Sequence, residues 1–137
     1  MPEFVREHKA PSTKNIVHEF EPLFNDFRDQ HDVKDEIFYN MMVAVTEGIN
    51  NAAGHGNKFD KTKFVTLKLT YENDELTCII QDEGSGYNPK EIADPREPEN
   101  LLKDRGRGVF LMRSLTKEFS VLPSNNGNQV KLVFHIP

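Results

Sequence analysis

The sequence predicts an α/β fold of the α+β type: a two-layer sandwich in which helices cover one face of a mixed, mostly antiparallel sheet. The chain has 137 residues, which predicts one domain, 1–137, around a single core. Apolar residues recur at helical spacing in two early segments and alternate with polar residues in several later runs. The later runs are paired across short turns, so we expect hairpins and antiparallel neighbours.

The composition is that of an ordinary globular chain and excludes several classes of protein. Lys and Arg number 17 against 22 Asp and Glu, a net charge of −5, so general binding to nucleic acid or to an anionic membrane is not expected. The one cysteine, Cys78, excludes an internal disulfide and is expected in the core. No apolar run is long enough to cross a membrane, and the N-terminus is charged, so we expect a cytoplasmic protein.

The first two elements are a strand and a helix. Phe4–His8 predicts a short edge strand, and Ser12 or Thr13 is the candidate N-cap of the helix. Pro22 lies inside the helical pattern and predicts a kink, or a break at Glu21. The apolar stripe of this helix consists of Ile16, Phe20, Leu23, Phe24 and Phe27.

A second helix and a hairpin follow. The helix is expected from about Val33 to Ala53, and the run Gly-His-Gly-Asn at 54–57 is expected to end it in a loop. The period then changes to two over Val65–Tyr71 and Leu76–Ile80, which predicts two strands joined at residues 72–74. The apolar stripe of the helix consists of Ile37, Phe38, Met41, Met42, Val45 and Ile49.

The C-terminal half begins with a long irregular stretch, from Glu83 to about Gly106. It is rich in glycine, proline and charge, and a loop of this length is typical of functional or disordered segments. A short helix is then expected over Gly108–Leu115. Phe119–Leu122 and Val130–Ile136 predict a second hairpin.

Glu47 and Asn51 are the first pair of residues that suggest chemistry. Four residues apart on the second helix, they share one face, roughly opposite the stripe of Val45 and Ile49. A solvated polar face is one interpretation, and helix statistics favour it. The other is a carboxylate base beside an amide that ligates a metal.

Asp82 is the second candidate, at the end of a strand. It shares the parity of the Leu76–Ile80 face, so if that face is buried Asp82 points inward, where an unpaired carboxylate is costly. Turn chemistry before Gly84 and Gly86 explains it about as well. As a ligand-binding residue, an inward Asp that accepts from an exocyclic amine selects adenine, and the two glycines let backbone approach the ligand.

Gly106-Arg107-Gly108 is the third candidate, ahead of a predicted helix. It is either a flexible loop or a phosphate cradle, in which helix N-terminal amides face an anion. Arg105 and its neighbours make this segment locally basic, which favours a phosphate partner. His55 lies four residues after Asn51 and is a further candidate for contact with the ligand, although a structural role is the commoner one.

Together and in this order, these motifs resemble the histidine-kinase-like ATPase domain, or Bergerat fold. Residues 47–56, EGINNAAGHG, look like the N box of the anti-sigma factor serine/threonine kinases, and 94–102 and 106–115 are similar to their lid and second glycine box. The resemblance covers essentially the whole chain. Two positions depart from it: Gly48 stands where Ala is usual, and Asn128 where a Thr often lies near the adenine site.

The resemblance implies ATP and Mg²⁺ as cofactors and assigns roles to residues. Asn51 matches the magnesium ligand, Glu47 the general base and Asp82 the adenine-binding aspartate. The implied glycines are Gly84 and Gly86 beside that aspartate, and Gly106 and Gly108 at the phosphates. Proteins of this family bind a sigma factor, phosphorylate a Ser or Thr of an anti-anti-sigma protein, and are commonly homodimers.

Three functions are therefore considered. The first is a cytoplasmic, ATP- and Mg²⁺-dependent protein serine/threonine kinase that acts as an anti-sigma factor. The second is a nucleotide-dependent module that binds a sigma factor without kinase activity; Glu47 counts against it because a pure binder needs no base. The third is a stand-alone ATP-binding domain that serves another multi-component regulator.

Overall fold

The computed structural model describes residues 2–84, 104–124 and 127–137. Within them lies a five-stranded sheet in the order β1-β2-β3-β5-β4. Its four strand pairings are all antiparallel, where the sequence prediction allowed a mixed sheet. In chain order the elements are β1 (Phe4–Pro11), α1 (Val17–Gln30), α2 (Asp35–Asn51), β2 (Phe64–Glu72), β3 (Glu75–Gln81), α3 (Asp104–Leu115), β4 (Glu118–Ser124) and β5 (Gly127–His135).

The sheet has one buried and one partly exposed face, as the alternating pattern predicts. On β2, Val65, Leu67 and Leu69 are fully buried, whereas Lys68 between them is exposed. The buried side chains join α1 and α2 in one apolar core, so the two-layer prediction is confirmed. Cys78 belongs to this core, and burial raises the pKa of its thiol.

The two predicted hairpins are present. Asn73 and Asp74 join β2 to β3 with φ values of 55° and 62°, which is the pattern of a tight hairpin turn. The second hairpin pairs β4 with β5. The predicted edge strand is also confirmed, because β1 lies at one end of the strand order in the described part of the chain and pairs there with β2.

The start of α1 differs from the prediction. The helix begins at Val17 with Ile16 at the N-cap and no capping side chain, so neither Ser12 nor Thr13 caps it. Ser12 is instead fully buried, and its hydroxyl donates to the backbone oxygen of Lys63. Pro22 lies within one continuous helix, so the predicted break is wrong.

The end of α2 also differs. The predicted loop at 54–57 is largely a π-helical turn, Ala52–Gly56, that continues directly from α2. Backbone bonds from Asn57 to Ala52 and from Phe59 to Ala53 close it. Such wide turns recur at functional sites, because they redirect the backbone without ending the helix.

Helix α3 begins at Asp104, four residues earlier than predicted, and packs against α2. Gly106 and Gly108 therefore lie inside the helix instead of before it. Of the long irregular stretch predicted to start at Glu83, residues 85–103 lie outside the described part of the chain. In the described ranges, no helix has the length and apolar character needed to cross a membrane.

Candidate nucleotide-binding site

Asp82 follows β3 directly and is 3% exposed, which confirms that it points inward. Its Oδ1 accepts hydrogen bonds from the backbone amides of Gly84 (3.0 Å) and Asn128 (3.1 Å). Burial raises the pKa of the carboxyl group, and these two bonds partly offset the effect. Asp82 is thus a desolvated acceptor, fixed by the ends of two neighbouring strands.

Glycines surround this carboxylate because no side chain fits beside it. A Cβ at Gly56 would lie 2.2 Å from Asp82 Oδ2, and one at Gly127 would lie 2.8 Å from Oδ1. A Cβ at Gly84 would lie 1.8 Å from the backbone oxygen of Gly56. The π-helical turn therefore sits directly against the strand end, and its residue Gly56 faces Oδ2.

Asn128, at the start of β5, is 1% exposed, and among the described residues neither polar atom of its side chain has a hydrogen-bond partner. Its backbone is bonded in both directions to Asp82, so the side chain cannot move far from the carboxylate. Buried amides without partners are rare in folded proteins. An orphaned carboxamide next to a desolvated carboxylate is the arrangement expected when a ligand completes the hydrogen bonds.

Glu47 and Asn51 form the second part of the site, and α3 closes over them. A Cβ at Gly108 would lie 2.7 Å from Glu47 Oε2 and 3.3 Å from Asn51 Nδ2. Asn51 is 8% exposed, so the solvated-face interpretation is wrong for this residue. The structure thus brings together the three residues Glu47, Asn51 and Gly108.

Close packing of α2 on β3 joins the two parts of the site. Gly48, between Glu47 and Asn51, packs on β3: a Cβ there would lie 2.7 Å from Ile80 Cδ1. Gly48, which departs from the family pattern, has no side chain, so α2 can lie close to β3, the strand that Asp82 follows. At about 1.5 Å per residue, Glu47 lies roughly 13 Å along the helix from Gly56, which touches Asp82. This separation suits a ligand with two distinct ends.

Asn57 connects several segments next to the site, a role that was not predicted from the sequence. It is 1% exposed; Nδ2 donates to Ser12 Oγ (2.8 Å) and to the oxygen of Phe64 (3.0 Å). Its Oδ1 accepts from the backbone amide of Glu83 (2.8 Å). One side chain thus joins the end of the π-helical turn to β1, β2 and the segment that carries Asp82.

We expect Asn57→Ala to lower the free energy of unfolding by about 2–4 kcal/mol, because it removes three hydrogen bonds and leaves buried partners unpaired. Urea denaturation followed by circular dichroism measures this. Asn50→Ala is the matched control: Asn50 is exposed on α2, and its loss should change stability by less than about 1 kcal/mol. Equal stabilities of the two variants would contradict the structural role of Asn57.

For the remaining predicted site residues, the structure gives mainly the element to which each belongs. His55 and Arg107 are exposed, the first on the π-helical turn and the second on α3. Arg105 and Gly106 belong to the first turn of α3, and the side chain of Arg105 lies outside the described part. Gly86 lies outside the described residues, so its predicted role stays a prediction.

The sequence contained weak signals for the residues that were missed. Gly56 belongs to the segment that resembles the N box, but Asn57 is predicted only as part of the loop that ends the helix, although a glycine pair followed by an asparagine also suits close backbone contact. Gly127, with φ of +134°, lies in the turn of the predicted second hairpin, and a Cβ there would lie 2.1 Å from the backbone oxygen of Asp82. Both interpretations lacked the information that two distant segments meet at Asp82.

A layer of helices on an antiparallel sheet, with a desolvated carboxylate at one end and a Glu-Asn pair at the other, defines a candidate nucleotide-binding domain. The comparisons with known proteins agree. The family model described as the histidine kinase-like ATPase domain matches residues 10–134, and the chain belongs to this family.

Within the family, the chain is similar to anti-sigma factors. It is 31% identical over 87 residues to the serine-protein kinase RsbW of Bacillus licheniformis, covering 59% of this chain and 54% of that protein. It is 29% identical over 104 residues to the anti-sigma F factor of Clostridium perfringens strain SM101, covering 73% of each. The chain spans little more than half the length of the Bacillus relative.

A solved structure shares the fold. The crystal structure of the RsbU and RsbW domains of Rv1364c from Mycobacterium tuberculosis matches with a TM-score of 0.65 and 13% identity. The match covers 98% of this chain and 33% of that one. At this identity the likeness concerns the fold alone, and it supports the Bergerat-type architecture expected from the sequence.

Proposed function

We propose that this protein is an ATP- and Mg²⁺-dependent protein serine/threonine kinase that acts in the cytoplasm as an anti-sigma factor. The observation that carries the proposal is the close approach of Glu47 and Asn51 to Gly108, on the helix whose far end touches Asp82. This arrangement offers one place for an adenine ring, at Asp82, and another for the phosphates, at Glu47 and Asn51. The names of the relatives, a serine-protein kinase and an anti-sigma factor, support the same function.

Asp82 and Asn128 are the residues proposed to bind the adenine ring. A desolvated carboxylate accepts strongly from the exocyclic amine of adenine, and guanine offers a carbonyl at that position instead. The carboxamide of Asn128, which has no partner among the residues that the structure describes, offers both a donor and an acceptor. The residues present therefore fit an adenine ring, held against the glycine-lined wall of Gly56 and Gly84.

Asn51 is the proposed protein ligand of Mg²⁺. This ion keeps several waters and takes few protein ligands when phosphate oxygens are available, so one amide oxygen is sufficient. Gly106 and Gly108 are proposed to let the phosphates approach α3, with Arg105 and Arg107 supplying positive charge and His55 at the rim. When bound, the ion neutralises charge on the phosphates of the nucleotide.

Glu47 is the proposed general base. The serine or threonine oxygen of the substrate bonds to the γ-phosphorus of ATP as the bond to the β-phosphate oxygen breaks and ADP leaves. The carboxylate of Glu47 accepts the hydroxyl proton. The position of this carboxylate against Gly108, beside the proposed metal ligand Asn51, supports the assignment.

The proposed partners are a sigma factor, which the protein sequesters, and an anti-anti-sigma protein, whose Ser or Thr receives the phosphoryl group. A homodimer is proposed as the form that binds the sigma factor. These partners rest on the family resemblance and on the names of the relatives, whose full length the chain does not span.

The test is transfer of radiolabelled phosphate from [γ-³²P]ATP with Mg²⁺ to the purified anti-anti-sigma proteins of the same genome. We expect one of them to be labelled on Ser or Thr, and the label to disappear when EDTA removes the metal. A sigma factor that is captured in the presence of ATP, with no labelled partner at all, would favour the binding module and contradict the kinase.

A further inference from the structure

An apolar groove runs along the outer face of α2 and ends at the proposed general base. One cavity of about 390 Å³ in this groove is lined by Tyr39, Met42, Val43, Thr46 and Glu47. A neighbouring cavity of about 290 Å³ is lined by Glu21, Asn25, Phe38, Met42 and Thr46. Met42 and Thr46 line both cavities, so the two form one continuous surface, called here the α2 groove.

Two ridges of α2 line the α2 groove, and Glu21 and Asn25 of α1 border its second cavity. Tyr39, Val43 and Glu47 follow one another at intervals of four residues and form the first ridge. The second ridge, also at intervals of four, consists of Phe38, Met42 and Thr46. In helix packing, grooves between such ridges receive the side chains of a second helix, and they can accept an apolar side chain of another segment in the same way.

Tyr39 is the exposed aromatic side chain at the far end of this groove. It is 70% exposed, more than the other large apolar residues that are exposed in the described part of the chain. Tyrosine is enriched among the residues that dominate binding energy, because its ring buries a large area at low cost in conformational entropy. An exposed tyrosine beside Met42 and Val43 thus marks a surface for binding.

We propose that the α2 groove binds the segment of the protein substrate that flanks its phospho-acceptor hydroxyl, with a large apolar side chain of that segment packed on Tyr39. This inference rests on the proposed function, because Glu47 is there assigned to accept the hydroxyl proton. Eight residues of helix separate Tyr39 from Glu47, about 12 Å along the axis. An extended chain covers that distance in about four residues, so the apolar side chain lies within four residues of the acceptor.

The substrate segment is the occupant that the position of Glu47 requires. Glu47 lines the groove and also contacts the position of Gly108, so the groove is continuous with the reacting end of the proposed site. The nucleotide is held from the opposite end, where Asp82 lies. The acidic Glu21 and Glu47 both line the groove, which favours a segment that is apolar and neutral or basic.

The test compares steady-state kinetics of Tyr39→Ala, Tyr39→Phe and wild type, with the anti-anti-sigma protein that the wild type labels as the varied substrate. Tyr39→Ala should raise KM for that protein about tenfold or more, as expected for loss of a central aromatic contact, with kcat within about twofold of wild type. Tyr39→Phe keeps the ring and should keep the wild-type KM. The Kd for ATP should be the same in all three.

Leu122→Ala is the matched control, because Leu122 is an exposed apolar residue (51%) on the edge strand β4. Its KM should equal that of wild type.

An unchanged KM for Tyr39→Ala, with normal labelling by wild type, would overturn the groove assignment and leave the kinase intact. A Tyr39→Ala variant that changes the oligomeric state in sedimentation but not KM would overturn it in favour of a second copy of this chain. A wild type that labels no protein would overturn the proposed function and this inference with it.

Discussion

Glu47→Gln should reduce phosphoryl transfer to the protein substrate by about 10²–10⁴-fold, the usual contribution of one general base, or roughly 3–5 kcal/mol of barrier. The amide keeps the size of the side chain beside Gly108 but cannot accept the hydroxyl proton. Binding of ATP should be nearly unchanged, because Glu47 is assigned to the acceptor and not to the nucleotide. Single-turnover labelling with [γ-³²P]ATP, alongside calorimetric titration with ATP, separates the two effects.

Two comparisons sharpen the Glu47 prediction. Glu36→Gln makes the same change on the exposed first turn of α2 and should transfer phosphate at the wild-type rate. Asn51→Ala should differ from both, since it removes the proposed metal ligand and should weaken Mg-ATP binding together with transfer. Transfer at the wild-type rate by Glu47→Gln would remove Glu47 from the mechanism.

Asp82→Asn should weaken ATP binding by about 10–100-fold, as expected when a hydrogen bond to a charged, desolvated acceptor is lost. The amide nitrogen also places a donor where the adenine amine needs an acceptor, so preference for ATP over GTP should fall. Calorimetric titration with each nucleotide measures both effects. Asp26→Asn, at an exposed position on α1, is the control and should bind as wild type does. Equal affinity of the wild type for ATP and GTP would contradict the adenine assignment.

Asp82→Asn should stabilise the ligand-free protein relative to wild type, although it weakens ATP binding. Because the pKa of Asp82 is raised by folding, the native state binds more protons than the unfolded state between the ordinary value of about 3.9 and the raised value. The stability that this group contributes is therefore present below about pH 3.9 and is lost as the pH rises through the raised pKa. Asp82→Asn does not titrate, so its unfolding free energy relative to wild type should increase across that window, measured by urea denaturation at a series of pH values.

The elements with strong local patterns were predictable from the sequence. The two-residue alternation of Val65–Tyr71 and the inward parity of Asp82 follow from strand geometry, and both are confirmed. The shared face of Glu47 and Asn51 follows from helix geometry in the same way. A local period determines which side of its own element each residue occupies.

Features that depend on contact between distant segments were not predictable. Glycine normally ends a helix, yet Gly54 and Gly56 continue α2 as a π-helical turn. Gly56 is needed there because Asp82, from a distant strand, leaves no room for a Cβ. Likewise Ser12 suits an N-cap by residue type, but the buried amide of Asn57 uses its hydroxyl oxygen as an acceptor. In both cases tertiary contact outweighed local preference.

The position of α3 has the same explanation. Glycines 106 and 108 are poor helix formers, so a helix that starts after them is the local expectation. The structure places Gly108 inside α3 because only a residue without a side chain can lie against Glu47 and Asn51. That contact, between two segments about sixty residues apart in the sequence, is visible only in the folded protein.

A crystal structure of the protein with Mg²⁺ and a non-hydrolysable ATP analogue tests the central claim most directly. We predict the adenine amine within hydrogen-bond distance of Asp82, and the metal ion about 2.0–2.1 Å from the side-chain oxygen of Asn51. The terminal phosphate should then lie next to Glu47, at the N-terminal end of α3. A nucleotide bound elsewhere, for example in the cavity of about 510 Å³ lined by Ser12, Thr13, Lys14, Asn15, Phe59 and Lys61, with Asp82 and Asn51 free of contact, would contradict the account.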